Sequence, residues 1–206
     1  MKSKLPHLGT TIFSVMSAMA NEYDAINLSQ GFPNFPVDSR LRTLFKVQLD
    51  ANVHQYAPMA GLIGLREILS EKTEALYGAK YDPESEITIT SGATQAIYTA
   101  IAAIIREGDE VIIFEPAYDS YIPNIVFNGG IVVPIELEFP DYTIPWDKVK
   151  AAITPKTKAI LVNTPHNPTG RVFTKDDILI LQEIVLSNNL YLISDEVYEH
   201  LIYDNK

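Results

Sequence analysis

Ala159-Ile160-Leu161-Val162-Asn163-Thr164-Pro165-His166-Asn167-Pro168-Thr169-Gly170 decides how this chain folds. The first four residues are a short apolar run closed by Asn163, the pattern of a strand buried on both faces. Two prolines, an asparagine and a glycine then force a stiff turn. Beyond it a helix is predicted from about Lys175 to Ser187, with Ile178, Leu181, Ile184 and Val185 along one side. The next apolar run, residues 190–194, reads as another strand. Strand, loop, helix, strand is the repeating unit of a parallel sheet.

The same alternation extends upstream. Residues 87–90, 111–114 and 131–134 are strand candidates. A helix is predicted over residues 93–106, with Ile97, Ile101, Ile104 and Ile105 on one side. Another is predicted over 62–77, where Leu62, Leu65, Ile68, Leu69 and Leu76 recur at helical spacing and Gly78 supplies the C-cap. The opening, to about Asn52, is expected to be irregular. Ser29-Gln30-Gly31-Phe32-Pro33-Asn34-Phe35-Pro36 within it is rich in turn formers and reads as a loop. The expected class is therefore α/β, a mainly parallel sheet with flanking helices, without internal repeats or low-complexity segments.

Composition narrows the function classes. Of 206 residues, 47% are hydrophobic and 20% charged, which suits a folded globular chain rather than a disordered one. The net charge of -10 and the lack of a basic stripe argue against nucleic acid. No apolar run approaches a bilayer span, and the first residues carry no apolar signal core, so a soluble, cytoplasmic protein without membrane partners is expected. With no cysteine there is no disulfide, and four scattered histidines give no metal-ligand pattern.

Four of the strand candidates run into polar motifs. Ligands of open parallel sheets bind beyond the carboxyl ends of the strands, so these motifs should gather on one edge. Ser91-Gly92-Ala93-Thr94 lies where a strand becomes a helix. Small residues there let backbone N–H groups meet a phosphate, although a plain N-cap by Ser91 or Thr94 uses the same residues. Tyr118, in Glu115-Pro116-Ala117-Tyr118, could lie against a planar ligand or simply pack at a strand end. Asn167, between two prolines, has its amide held in a fixed direction, or serves only the turn. Asp195, directly after an apolar strand, needs a cationic partner or several donors; a protonated pyridine nitrogen would serve, and so would a role as helix N-cap for residues 196–200. If that segment is helical, Tyr198 faces the same edge.

Taken in order, Ser29-Gln30-Gly31-Phe32-Pro33, Gln55-Tyr56, Thr90-Ser91-Gly92-Ala93-Thr94-Gln95, Glu115-Pro116-Ala117-Tyr118, the stretch from Asn163 to Gly170, and Ser194-Asp195-Glu196-Val197-Tyr198 resemble the fold type I, class I/II aminotransferases, in particular the methionine and kynurenine aminotransferase branch. The resemblance spans the whole chain. It implies pyridoxal 5'-phosphate as cofactor, an amino acid and a 2-oxo acid as substrates, and a homodimer. Gly92, Ala93 and Thr94 match the phosphate-binding turn. Tyr118 matches the aromatic stacked on the pyridine ring. Asn167 and Tyr198 match the partners of the ring O3′, and Asp195 the carboxylate paired with the ring nitrogen. Gly31 and Phe32, with Asn167, match the substrate side. Tyr56 matches a residue reaching the cofactor phosphate of the neighbouring subunit.

The resemblance also implies an N-terminal arm and part of a small domain in residues 1–50, and the front of a large cofactor-binding domain in 51–206. Its sheet order, counting residues 87–90 as the first strand, is 3-2-4-5-6-7-1, of which this chain supplies the first five strands. The lysine that should form a Schiff base with the cofactor has no counterpart at the matching positions, so no catalytic residue is assigned and the chain is expected to be a fragment. Lys158, Lys175 and Lys206 do not match the motif. Phe32, Phe35 and Tyr56 tilt the expected donor toward methionine, aromatic or other large apolar amino acids. Two other functions are compatible with the same residues. One is a non-catalytic truncated paralogue. The other is a different enzyme on the same fold, such as a C–S lyase or a cyclopropane-carboxylate synthase.

Overall fold

The computed structural model describes residues 3–6, 8–31, 33–51 and 53–203. The chain divides into two compact units, one formed by Met1–Leu8 with Ser91–Lys206, the other by Gly9–Thr90.

The first unit is built on four parallel strands, β1 (Glu110–Glu115), β2 (Ile131–Glu136), β3 (Thr157–Asn163) and β4 (Tyr191–Asp195), in the order β2-β1-β3-β4. This is the order the resemblance implies for these four. The central strands β1 and β3 are apolar on both faces because both faces are covered. Ile112, Phe114, Ile160 and Val162 point to one side, against Val149, Leu181 and Ile184. Val111, Ile113, Ala159 and Leu161 point to the other, against Ile97, Ile101, Tyr121 and Ile125. Burying each large aliphatic side chain contributes about 1.5–3 kcal/mol. The edge strands differ from the expectation of double burial. Tyr191 and Leu192 of β4 and Ile131 of β2 are exposed, since an edge strand has less cover.

Helices α4 (Gly92–Ile104) and α5 (Tyr121–Phe127) cover one face of the sheet, and α6 (Trp146–Ala152) and α7 (Lys175–Ser187) the other. α7 opens on a capping box. Thr174 Oγ1 accepts from Asp177 N–H, and the Asp177 carboxylate accepts from Thr174 N–H. The same carboxylate takes the Trp146 indole N–H at 3.0 Å and the Arg171 guanidinium at 3.0 Å, which joins α6, the 164–174 loop and α7.

The second unit holds α1 (Ile12–Glu22), α2 (Ser39–Asp50) and α3 (Ile63–Tyr77). α3 ends as expected, at Gly78 with φ 70°. The first two helices correct the expectation of an irregular opening. Ile12, Val15, Met16 and Met19 recur at helical spacing, as do Leu41, Leu44, Phe45 and Leu49. Thr11 and Asp38 cap them, accepting from Ser14 N–H and Arg40 N–H. The described part of residues 29–36 is a loop, as expected.

Residues 87–90 are a second correction. They form no strand. An apolar run becomes a strand only when a neighbour takes its backbone groups, and here Ile89 N–H donates to the Ala60 carbonyl instead. Among the described residues no helix is long and apolar enough to cross a membrane, and no group of three or more His, Asp or Glu side chains is placed to hold a metal ion.

Candidate functional site

Parallel strands deliver their carboxyl ends to one edge, and the residues after them line one cavity there. Ala93, Thr94 and Ile97 come from the first two turns of α4. Tyr118 and Tyr121 follow β1, Asn163 closes β3, and Asn167 lies in the loop beyond it. Asp195 closes β4, with Val197 and Tyr198 just after. Six residues singled out in the sequence thus meet in one place: Ala93, Thr94, Tyr118, Asn167, Asp195 and Tyr198.

Asp195 is 9% exposed. Its Oδ2 accepts the Tyr121 hydroxyl at 2.6 Å, and its Oδ1 accepts Val197 N–H at 3.2 Å. Among the described residues, no Lys, Arg or His forms an ion pair with it. A buried carboxylate served by two neutral donors is suited to a cationic group supplied by a ligand. Burial, and after it the bond to Asp195, pushes the Tyr121 phenol well above its ordinary range. Tyr121 therefore stays protonated and acts as a donor. The alternative role of Asp195, as N-cap of a helix, is not realised: its bond to Val197 N–H closes a local turn and no helix follows it. Residues 197–200 form a turn rather than the helix considered above, held by Glu199 N–H to Glu196 C=O and Leu201 N–H to Tyr198 C=O.

The start of α4 is a glycine-led turn that enters the helix directly. Gly92 takes φ 82°, a left-handed conformation that a side chain would resist. Ser91 makes no side-chain cap bond, and its own N–H donates back to Gln95 Oε1. The first-turn N–H groups of an α-helix have no acceptor within the helix and carry the positive end of its dipole. Ala93 and Thr94 bring that end to the cavity.

Tyr118 packs edge-on against Tyr121, with ring centroids 5.7 Å apart. Asn163 is 3% exposed and bonds in two directions. Its Nδ2 donates to the Asp195 carbonyl at 2.9 Å, and its Oδ1 accepts Asn167 N–H at 2.6 Å. His166 turns its Nδ1 to the Thr169 hydroxyl at 2.8 Å, and burial holds its imidazole below the ordinary histidine range.

Gly31 and Tyr56 belong to the Gly9–Thr90 unit and are exposed. Phe32 and Lys206 lie outside the described residues. Lys158 falls inside β3, at its start, with its ammonium 5.3 Å from the Tyr191 ring centre. That is the end of the sheet opposite the cavity. Lys175 opens α7. Tyr121 and Asn163 were not expected in the site. A polar residue closing an apolar strand is the one sequence signal that could have found Asn163; Tyr121, three residues past Tyr118, resembles any aromatic of an amphipathic helix.

The sequence profile described as aminotransferase class I and II matches residues 23–206. The methionine aminotransferase of Escherichia coli is 45% identical over 205 residues, covering 100% of this chain and 53% of that protein. A probable N-succinyldiaminopimelate aminotransferase of Mycobacterium tuberculosis is 37% identical, covering 98% and 52%. A probable kynurenine–oxoglutarate transaminase of Saccharomyces cerevisiae is 38% identical, covering 87% and 43%. A crystal structure from Escherichia coli, described as identifying a methionine aminotransferase function, superposes with a TM-score of 0.93 at 46% identity, covering 97% of this chain and 52% of that one. The chain spans about half the length of the curated relatives it matches. It belongs to the class I and II aminotransferase family, whose members depend on pyridoxal phosphate.

Proposed function

We propose that this chain forms the cofactor-facing half of an aminotransferase that moves an amino group from methionine, an aromatic or another large apolar amino acid to a 2-oxo acid. The observation that carries the reading is Asp195, a buried carboxylate with two neutral donors, set in one cavity with Tyr118, Asn167, Tyr198 and the start of α4. That donor set fits pyridoxal phosphate. When bound, the cofactor supplies an electron sink for the substrate's α-carbon.

The residues have distinct tasks in this reading. Gly92, Ala93 and Thr94 hold the phosphate with backbone N–H groups and the helix dipole. Tyr118 supports the ring face. Asp195 keeps the ring nitrogen protonated, and a fixed carboxylate does this better than water because it needs no reorganisation. Asn167 and Tyr198 serve the ring hydroxyl. Asn167 also faces the substrate, and by their match to the family's motifs Gly31 and Phe32 are assigned to substrate binding and Tyr56 to the cofactor of a second subunit in a homodimer. Residues 1–50 act as an arm and part of a small domain, and 51–206 as the front of the large domain. The protein works in the cytoplasm. The 206 residues alone bind the cofactor without a covalent bond and do not transaminate, because among the described residues no lysine lines the cavity.

Titration of the 206-residue chain with pyridoxal phosphate, followed by absorbance and then borohydride reduction, tests this. Saturable binding that is lost in Asp195→Asn, with no stable reduced adduct, is expected. Absence of saturable binding rejects the cofactor site, and an adduct on this chain rejects the non-covalent part.

A further inference from the structure

We infer that Asn163 is a positioning residue that fixes Asn167 and Asp195 relative to each other, so that the two edges of the cofactor ring are gripped at a set spacing. The inference rests on the proposed cofactor site and adds to it a residue that touches no reacting atom. The two groups it joins come from different elements. Asn167 sits in the Pro-flanked loop after β3, and Asp195 ends β4. In the proposed site they address different atoms of one rigid ring, the hydroxyl and the nitrogen. A rigid ligand held at two points punishes an error in their separation, and misplacement of about 1 Å is enough to matter.

Asn163 is chemically suited to set that separation. A side-chain amide has one acceptor and one donor end in a single plane. Here the acceptor takes Asn167 N–H and the donor reaches the Asp195 carbonyl. Asn163 itself is fixed: it is buried, it closes a central strand, and it pairs in register with Asp195. Thr164 N–H adds a ladder bond to the same Asp195 carbonyl at 3.2 Å, so the strand end is tied by backbone and side chain together. Bonds that orient the groups touching a ligand commonly change affinity by about 10–100-fold when lost.

Asn163→Asp separates the two bonds. It keeps the shape and an acceptor for Asn167 N–H, but it has no donor for the Asp195 carbonyl. Titration with pyridoxal phosphate should show a dissociation constant raised about tenfold or more, together with a shifted pH midpoint of the bound cofactor's absorbance. A variant that matches the wild type in both, with only a lowered melting temperature, overturns the inference. If the variant does not fold, amide exchange in the cofactor-free wild type decides. Asn167 N–H should already be protected, and exchange as fast as an open loop overturns the positioning role. A wild type that fails to bind the cofactor rejects the parent reading and this one with it. A wild type that binds beside an Asn163→Asp variant that binds equally rejects this one alone.

Discussion

The Tyr121 hydroxyl donates to Oδ2 of Asp195 across 2.6 Å, linking the first residue of α5 to the last residue of β4. Both side chains are buried, and Tyr121 is only 3% exposed. Tyr121→Phe keeps the ring and removes one donor from a buried carboxylate. A hydrogen bond to a charged group contributes about 1.5–3 kcal/mol, so a loss of that size is expected in urea unfolding. An unchanged midpoint would show that water replaces the phenol at no cost.

The Asp177 carboxylate is expected to be the most sensitive polar position away from the cavity. It serves Thr174, Trp146 and Arg171 at once, and its ion pair with Arg171 is largely shielded, with side-chain exposures of 10% and 17%. Asp177→Ala should cost about 3 kcal/mol. Lys148→Ala, which breaks an exposed pair with Glu138, should stay within about 0.5 kcal/mol. Chemical denaturation of both variants checks the contrast, and equal losses would contradict it.

Stability should fall toward acid in two steps. Burial lowers the pKa of His166, so the folded state favours the neutral imidazole. Its contribution is present above the ordinary value of 6.5 and is lost as pH drops below that, through the depressed folded value. At Asp177 burial alone would raise the pKa, but the bonds from Thr174, Trp146 and Arg171 outweigh it and the net shift is downward. That contribution is present above 3.8 and disappears as pH falls further. Denaturation midpoints across this range should show the upper step vanish in His166→Gln and the lower one shrink in Asp177→Asn.

Two glycines should respond to alanine with opposite signs. A Cβ at Gly130 would lie 2.8 Å from Cγ2 of both Ile105 and Ile125, inside a packed cluster. Overpacking of this kind costs about 1–3 kcal/mol. A Cβ at Gly64, in the first turn of α3, meets nothing within 4 Å. Gly64→Ala should stabilise by about 0.4–1 kcal/mol through the unfolded chain's lost freedom. Thermal melts of the two variants provide the check.

The sheet was legible in the sequence because strands β1 to β4 are apolar runs cut by strong turn formers. Helices α3, α4 and α7 were legible through their period. α1 and α2 were not, because the turn formers between them dominated the reading while their caps, Thr11 and Asp38, are single residues. Residues 87–90 show the opposite failure. Their composition suits a strand, but a strand is a relation to a neighbour and no local pattern records the neighbour. The site divides in the same way. Motif residues such as Asp195 and Asn167 carried their own signal. Tyr121 and Asn163 act through bonds that span 74 and 32 positions of sequence, and nothing near either residue announces its partner.

The two borders of the sheet are unequally guarded. β2 carries Pro134, which has no N–H to offer, and ends on the charged Glu136. β4 has no proline and no lysine, and it shows Tyr191 and Leu192 to solvent. Among the described residues its outer backbone groups have no strand beside them in the sheet. A border of that kind recruits whatever extended peptide it meets. Kept in solution with no other strand to take that place, the chain should pair with a second copy through β4 and stop there, because the guarded β2 border offers no continuation; adding charge at Leu192 would manage this hazard during purification.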